Sequence, residues 1–207
     1  MTALSFLDIA SVFVFALTGA LVASRAQLDP IGFIFIAALT AVGGGTMRDL
    51  FLDRNPLFWI AKPEALLAIL VAAILTFFTA HRLESRLRTL TWLDAIALSI
   101  AVPAGVGVAF EEQQTWPIIL IMGVATGTFG GLMRDVVCNE VPLVLKKGEL
   151  YVSAAFFGGI AALLAVQFGT SETVALICCA ISTFALRAGS LLFGWSMPGY
   201  HHEPPKS

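Results

Sequence analysis

Seven apolar runs, each close to the ~20 residues that cross the hydrocarbon of a bilayer, set the terms on which this 207-residue chain can fold. They fall at about 5–23, 31–51, 63–80, 92–110, 116–137, 149–168 and 172–193. A spanning segment must satisfy its own backbone, which leaves helices or a closed barrel, and runs this long without strand-like alternation predict helices. Hydrophobic residues make up 58% of the chain and charged residues 13%, with a mean hydropathy of +0.88. That is more apolar surface than a soluble fold of this size can hide, so lipid is part of the solvent. The expected fold is an all-α polytopic membrane protein with seven transmembrane helices. Met1 to Ala23 reads as a retained first span rather than a cleaved signal peptide.

Several function classes drop out at once. No basic stripe interleaves with aromatics, which argues against a nucleic-acid partner. Cys138, Cys178 and Cys179 lack metal-ligand spacing and read as small buried residues, and His81, His201 and His202 fall in a loop or the tail. Neither a metal nor a cofactor is expected. No nucleophile–base pair, phosphate loop or paired catalytic carboxylates is legible, so the chain does not read as an enzyme.

The short connections carry the orientation signal. Arg25, Arg82, Arg86, Arg88, Lys146, Lys147 and Lys206 collect on one side, against Arg54 and Lys62 on the other. The positive-inside rule then predicts an external N-terminus and a cytoplasmic C-terminus. The polar tail after Pro198 reads as disordered.

A shift of 86 residues lays the chain on itself: Leu7-Asp8 on Leu93-Asp94, Gly19 on Gly105, Thr40 on Thr126, Gly44-Gly45 on Gly130-Gly131, and Met47-Arg48-Asp49 on Met133-Arg134-Asp135. Closing one residue matches Glu64 to Glu149. Each copy holds three spans, an odd number, so the second enters the membrane from the opposite face. The expected organisation is a first three-helix repeat (1–80), a cytoplasmic connector (81–91), a second, inverted three-helix repeat (92–168), a seventh helix (169–193) and a flexible cytoplasmic tail (194–207).

The duplicated glycines are the candidate site. Ala37, Ala41 and Gly45 match Gly123, Gly127 and Gly131 at a spacing of four, a smooth stripe along which two backbones can approach. Gly43, Gly44 and Gly45, and Gly130 and Gly131, also invite a break that frees carbonyls to replace part of a cation's hydration shell, with Thr40, Thr46, Thr126 and Thr128 as further oxygen donors. A kinked helix with no transport role is the plainer reading. Arg48-Asp49 and Arg134-Asp135 are costly at membrane depth. Adjacent helical residues point about 100° apart, so cross-pairs Arg48–Asp135 and Arg134–Asp49 are open, and gating or architecture is expected before selectivity. Asp8 and Asp94 each follow a hydroxyl, Ser5 and Thr91, by three residues and read as helix caps. Arg187 reads as snorkelling to the interface. Arg82, Arg86, Arg88, Lys146 and Lys147 can hold anionic lipid head groups.

Gly43-Gly44-Gly45-Thr46-Met47-Arg48-Asp49, Asn55-Pro56-Leu57-Phe58-Trp59-Ile60 and Gly130-Gly131-Leu132-Met133-Arg134-Asp135 together resemble the bacterial members of the trimeric intracellular cation (TRIC) channel family, which overlap a family catalogued as glycine transporters. The resemblance covers all seven spans. It implies a homotrimer in the bacterial inner membrane, each protomer with its own pore bounded by kinked second and fifth helices and permeable to K+ or other monovalent cations such as Na+. The Lys-Glu-Val lipid motif of animal relatives has no match here, so phosphoinositide control does not carry over; bound lipid in general stays open. A passive cation channel is the leading expectation, a carrier for a small zwitterion such as glycine the alternative, and a non-transporting scaffold the third.

Overall fold

The computed structural model describes residues 3–83, 85–146 and 148–198. Eight α-helices follow one another among them: α1 Ala3–Arg25, α2 Pro30–Phe51, α3 Phe58–Ala61, α4 Glu64–Thr79, α5 Arg86–Glu111, α6 Trp116–Val137, α7 Val152–Gln167 and α8 Glu172–Phe193. Their boundaries have local causes. Asp29 caps α2 by accepting from Gly32 N at 2.7 Å, with Pro30 in the first turn where its missing N–H costs nothing. Ser85 and Ser171 cap α5 and α8 in the same way. Gly194, at φ 69°, ends α8 in the left-handed conformation that glycine tolerates best.

Six of these helices, not seven, are long and apolar enough to cross a membrane: α1, α2, α4 (extended through a 3-10 turn to Arg82), α5, α6 and α8. The run expected at 149–168 yields the 16-residue α7 instead. Its first residues are held out of the helix by side-chain ties, since Glu149 pairs with Arg187 and Leu150 N donates to Ser190 Oγ at 3.0 Å. At the other end of that half, α5 begins at Arg86 rather than near 92, so most of the expected connector is helical.

The helices pack as two groups. Side chains of α1, α2 and α4, joined by Ala97 and Ala101 of α5, form one core, and those of α5, α6, α7 and α8 another. Small residues set the spacing in both. A Cβ on Gly19 would come within 2.6 Å of Thr40 Oγ1, and one on Gly105 within 2.5 Å of Thr126 Oγ1, so α1 lies against α2 as α5 lies against α6. The groups meet where α1 packs on α5 and α2 on α6. Large apolar side chains such as Leu67, Phe78, Ile121 and Ile181 face outward, as a lipid-solvated bundle requires.

The expected helix breaks are absent. Gly43, Gly44 and Gly45 lie inside the unbroken α2, and Gly130 and Gly131 inside the unbroken α6. At Gly43, Gly44 and Gly130 the lack of a side chain serves interhelical approach rather than unwinding.

Candidate functional site

The two glycine segments cross each other. A Cβ on Gly44 would run into the carbonyl oxygen of Thr126, and one on Gly130 into the carbonyl oxygen of Thr40. Gly43 also faces Gly130, its Cβ position 3.2 Å from Gly130 Cα. As numbering rises along α2 it falls along α6 at these contacts, so the helices cross antiparallel, backbone on backbone. The hydroxyls expected as ion ligands each make a hydrogen bond. Thr40, Thr126 and Thr128 donate to Ile36 O, Met122 O and Val124 O, and Thr46 Oγ1 accepts from the Trp59 indole at 3.1 Å.

Toward the C-terminal end of each crossing helix lies a buried ionic cluster. Arg48 donates from Nε to Asp49 at 2.9 Å and from Nη1 to Asp8 at 2.9 Å. Arg134 donates from Nε to Asp135 at 2.8 Å and from Nη1 to Asp94 at 2.9 Å. These bonds correct two expectations. Each arginine pairs within its own group rather than across the molecule. Asp8 and Asp94 are arginine partners set inside α1 and α5, one turn or more from the helix starts, and not caps. The remaining carboxylate oxygens brace the loops, with Asp49 Oδ2 accepting from Phe58 N at 2.8 Å and Asp135 Oδ2 from Leu143 N at 2.9 Å. Both arginines are fully buried.

The clusters differ in charge. Arg54 approaches Asp49 to 3.7 Å, so the first holds two guanidinium groups near two carboxylates. The 86-residue shift puts Glu140 at the place of Arg54, and the second cluster has one guanidinium for Asp94 and Asp135. Arg187, expected at the interface, is buried instead, bonded to Glu149 at 2.6 Å and lying 5.2 Å above the Tyr151 ring.

A family model described as Glycine transporter matches residues 5–81 and again 91–167, the second match beginning 86 residues after the first (5 to 91). The solved TRIC trimeric intracellular cation channel orthologue from Rhodobacter sphaeroides is 42% identical with a TM-score of 0.90, over 94% of this chain and 100% of that one. The chain is a bacterial member of the TRIC family. A second solved TRIC cation channel is 27% identical with a TM-score of 0.86, over 98% of this chain and 100% of its own. Among curated relatives, a UPF0126 membrane protein of Vibrio cholerae serotype O1 is 37% identical, over 94% of this chain and 81% of the relative. The UPF0126 inner membrane protein YadS of Escherichia coli K12 is 39% identical, over 74% of each. This TRIC chain is accordingly a multi-pass inner-membrane protein.

Of the other candidate positions in the TRIC chain, Arg86 donates to Ala80 O and Ser24 O, tying α5 to the ends of α1 and α4, while Arg82 and Arg88 are exposed. Lys146 is half-buried; Lys147 and the tail residues 199–207 lie outside the described residues. The sequence reading missed Asp8 and Asp94 as ion-pair partners and the burial of Arg187. A usable signal existed for the first two. Both aspartates recur 40 residues before the motif arginines, Asp8 before Arg48 and Asp94 before Arg134.

Proposed function

We propose that this protein passively conducts monovalent cations, chiefly K+, along a pathway inside each protomer of a homotrimer, beside the crossing of α2 and α6. The observation that carries the reading is the pair of buried Asp–Arg–Asp clusters at the C-terminal ends of two antiparallel helices. Spanning helices placed this way put one cluster toward each membrane face, as an inverted repeat would. In the second cluster a guanidinium outnumbered by carboxylates lowers the barrier for a cation, and in the first the arginines are matched by carboxylates, whereas a free arginine would raise it. Similarity to solved TRIC cation channels supports the same reading.

In the arrangement seen here, Thr40, Gly44, Thr126 and Gly130 press the two backbones together, so opening requires α2 and α6 to separate or slide. The arginines act as architecture and gate, holding each helix end against α1 or α5. The N-terminus is external, and exposed Arg82 and Arg88, with Arg86 and Lys146, face lipid head groups at the cytoplasmic side.

A carrier for a small zwitterion is the second reading. One specific observation favours it: the second group buries three guanidinium nitrogens, one on Arg134 and two on Arg187, and a carboxylate oxygen of Asp94, none with a hydrogen-bond partner among the described residues. Those are the two halves of an amino-acid recognition site. Purified protein in a planar bilayer under a KCl gradient separates the readings. Unitary steps reversing near the K+ potential support the channel. Silence in the bilayer together with saturable glycine uptake into proteoliposomes overturns it in favour of the carrier.

A further inference from the structure

The two halves treat equivalent glycines in opposite ways. The side-chain position of Gly45 is occupied by the edge of the Phe58 ring, on which Arg48 also rests with its Cζ 5.4 Å from the centroid. Leu143 takes the place of Phe58 in the second half, since its N–H meets Asp135 as that of Phe58 meets Asp49. At Gly131 the three atoms nearest to an added Cβ are all polar: Tyr151 Oη at 3.2 Å, Arg134 Nη2 at 3.6 Å and Asp94 Oδ1 at 3.8 Å. Tyr151 Oη, Arg134 Nη2 and Asp94 Oδ2 have no hydrogen-bond partner among the described residues, and all three side chains are at most 2% exposed.

We propose that the space left by the absent side chain of Gly131 is a resident-water site, bridging Arg134, Asp94 and Tyr151, and that the second half of the protomer is hydrated where the first is closed by Phe58. The chemistry fits water closely. A buried water makes about three hydrogen bonds to polar groups that would otherwise go unsatisfied. Here Arg134 Nη2 donates, Asp94 Oδ2 accepts, and the Tyr151 hydroxyl can do either. A bare cation would face the Arg134 guanidinium, and a bare anion the surplus carboxylate, so a neutral dipolar ligand matches the local charge better than either. The lining continues past the ring of Tyr151, where Arg187 Nε and Nη1 are also unpartnered. In the first half Arg48 Nη2 lacks a partner too, but the ring beside it leaves no polar space at Gly45. The inference is independent of whether the chain conducts ions or carries a solute.

X-ray radiolytic footprinting of the full-length protein, read by mass spectrometry, tests it, because hydroxyl radicals form at bound water. Tyr151 is expected to label several-fold faster than Phe15, which is similarly buried but lies in the apolar core. Labelling of Tyr151 no faster than Phe15 would overturn the proposal. Thermal unfolding of Gly131→Ala and Gly131→Ser supplies a second readout. If the space is polar and wet, the serine hydroxyl replaces part of what the water provides, and Gly131→Ser melts higher than Gly131→Ala. If the space is only tightly packed, the larger serine melts lower, and the water site is wrong.

Discussion

A buried charge is tolerable in this bundle only because a specific neighbour faces it, and the neighbours are not equally dispensable. Arg134 stands between Asp94 and Asp135, with side chains at 0% and 3% exposure, and no second guanidinium bonds to either carboxylate among the described residues. Arg48 has help: Arg54 lies 3.7 Å from Asp49, and Asp8 keeps 13% exposure. Removing one partner of a buried pair costs about 3–5 kcal/mol. Arg134→Ala is therefore expected to lose at least that much, and Arg48→Ala distinctly less. Thermal unfolding in detergent compares them, and equal melting shifts would show that the charge count is not what decides. Asp94→Ala should cost less than Arg134→Ala, because it removes the surplus carboxylate and leaves Arg134 paired with Asp135.

At the scale of the helix, glycine works here by being absent from the space between two backbones. An added methyl at Gly44 or Gly130 meets a carbonyl oxygen of the facing helix, and main chain cannot step aside without moving the helix. At Gly43 the nearest atom is the Met133 sulfur, the flexible end of a long side chain. Overpacking costs about 1–3 kcal/mol; Gly44→Ala and Gly130→Ala are expected at the upper end of that range and Gly43→Ala at the lower. A melting series in which Gly43→Ala is the worst would contradict the crossing described. The helix ends carry weaker ties. Arg54 pairs with Glu112 at 3.1 Å and Arg25 with Glu140 at 3.2 Å, all four side chains partly exposed. Such pairs are worth up to about 1 kcal/mol and weaken as salt rises, so Arg54→Gln should cost little and its effect should fade in high salt.

For the whole molecule, the antiparallel crossing of α2 and α6 places the turn after α1 and the turn after α5 at opposite ends of the bundle. Single cysteines at Gln27 and at Gln113 report which end is which. With the orientation expected from the basic residues, a membrane-impermeant maleimide applied to intact cells labels Gln113→Cys and spares Gln27→Cys; the reverse pattern inverts the topology. Assembly is tested by crosslinking in membranes. A ladder that stops at three protomers supports the homotrimer, and one that stops at two refutes it.

Local pattern alone determined the membrane-helical character of the chain, the 86-residue correspondence, and the family. Those depend on hydropathy over windows of about twenty residues and on motif spacing, and both are written along the chain. The glycines could be marked as unusual from sequence, but not read correctly. A glycine cluster is equally compatible with a broken helix and with a close crossing, and only the partner backbone, Thr126 opposite Gly44 and Thr40 opposite Gly130, decides between them. The same holds for charge. Ser5 and Thr91 three residues before an aspartate look like caps until the helices are seen to start earlier, at which point Asp8 and Asp94 become counter-ions to arginines 40 residues away. Arg187 was out of reach for the same reason, because its partner Glu149 lies on a segment whose path is set by the tertiary contact itself. Periodicity is a property of neighbours in sequence, whereas ion pairing and backbone approach are properties of neighbours in space.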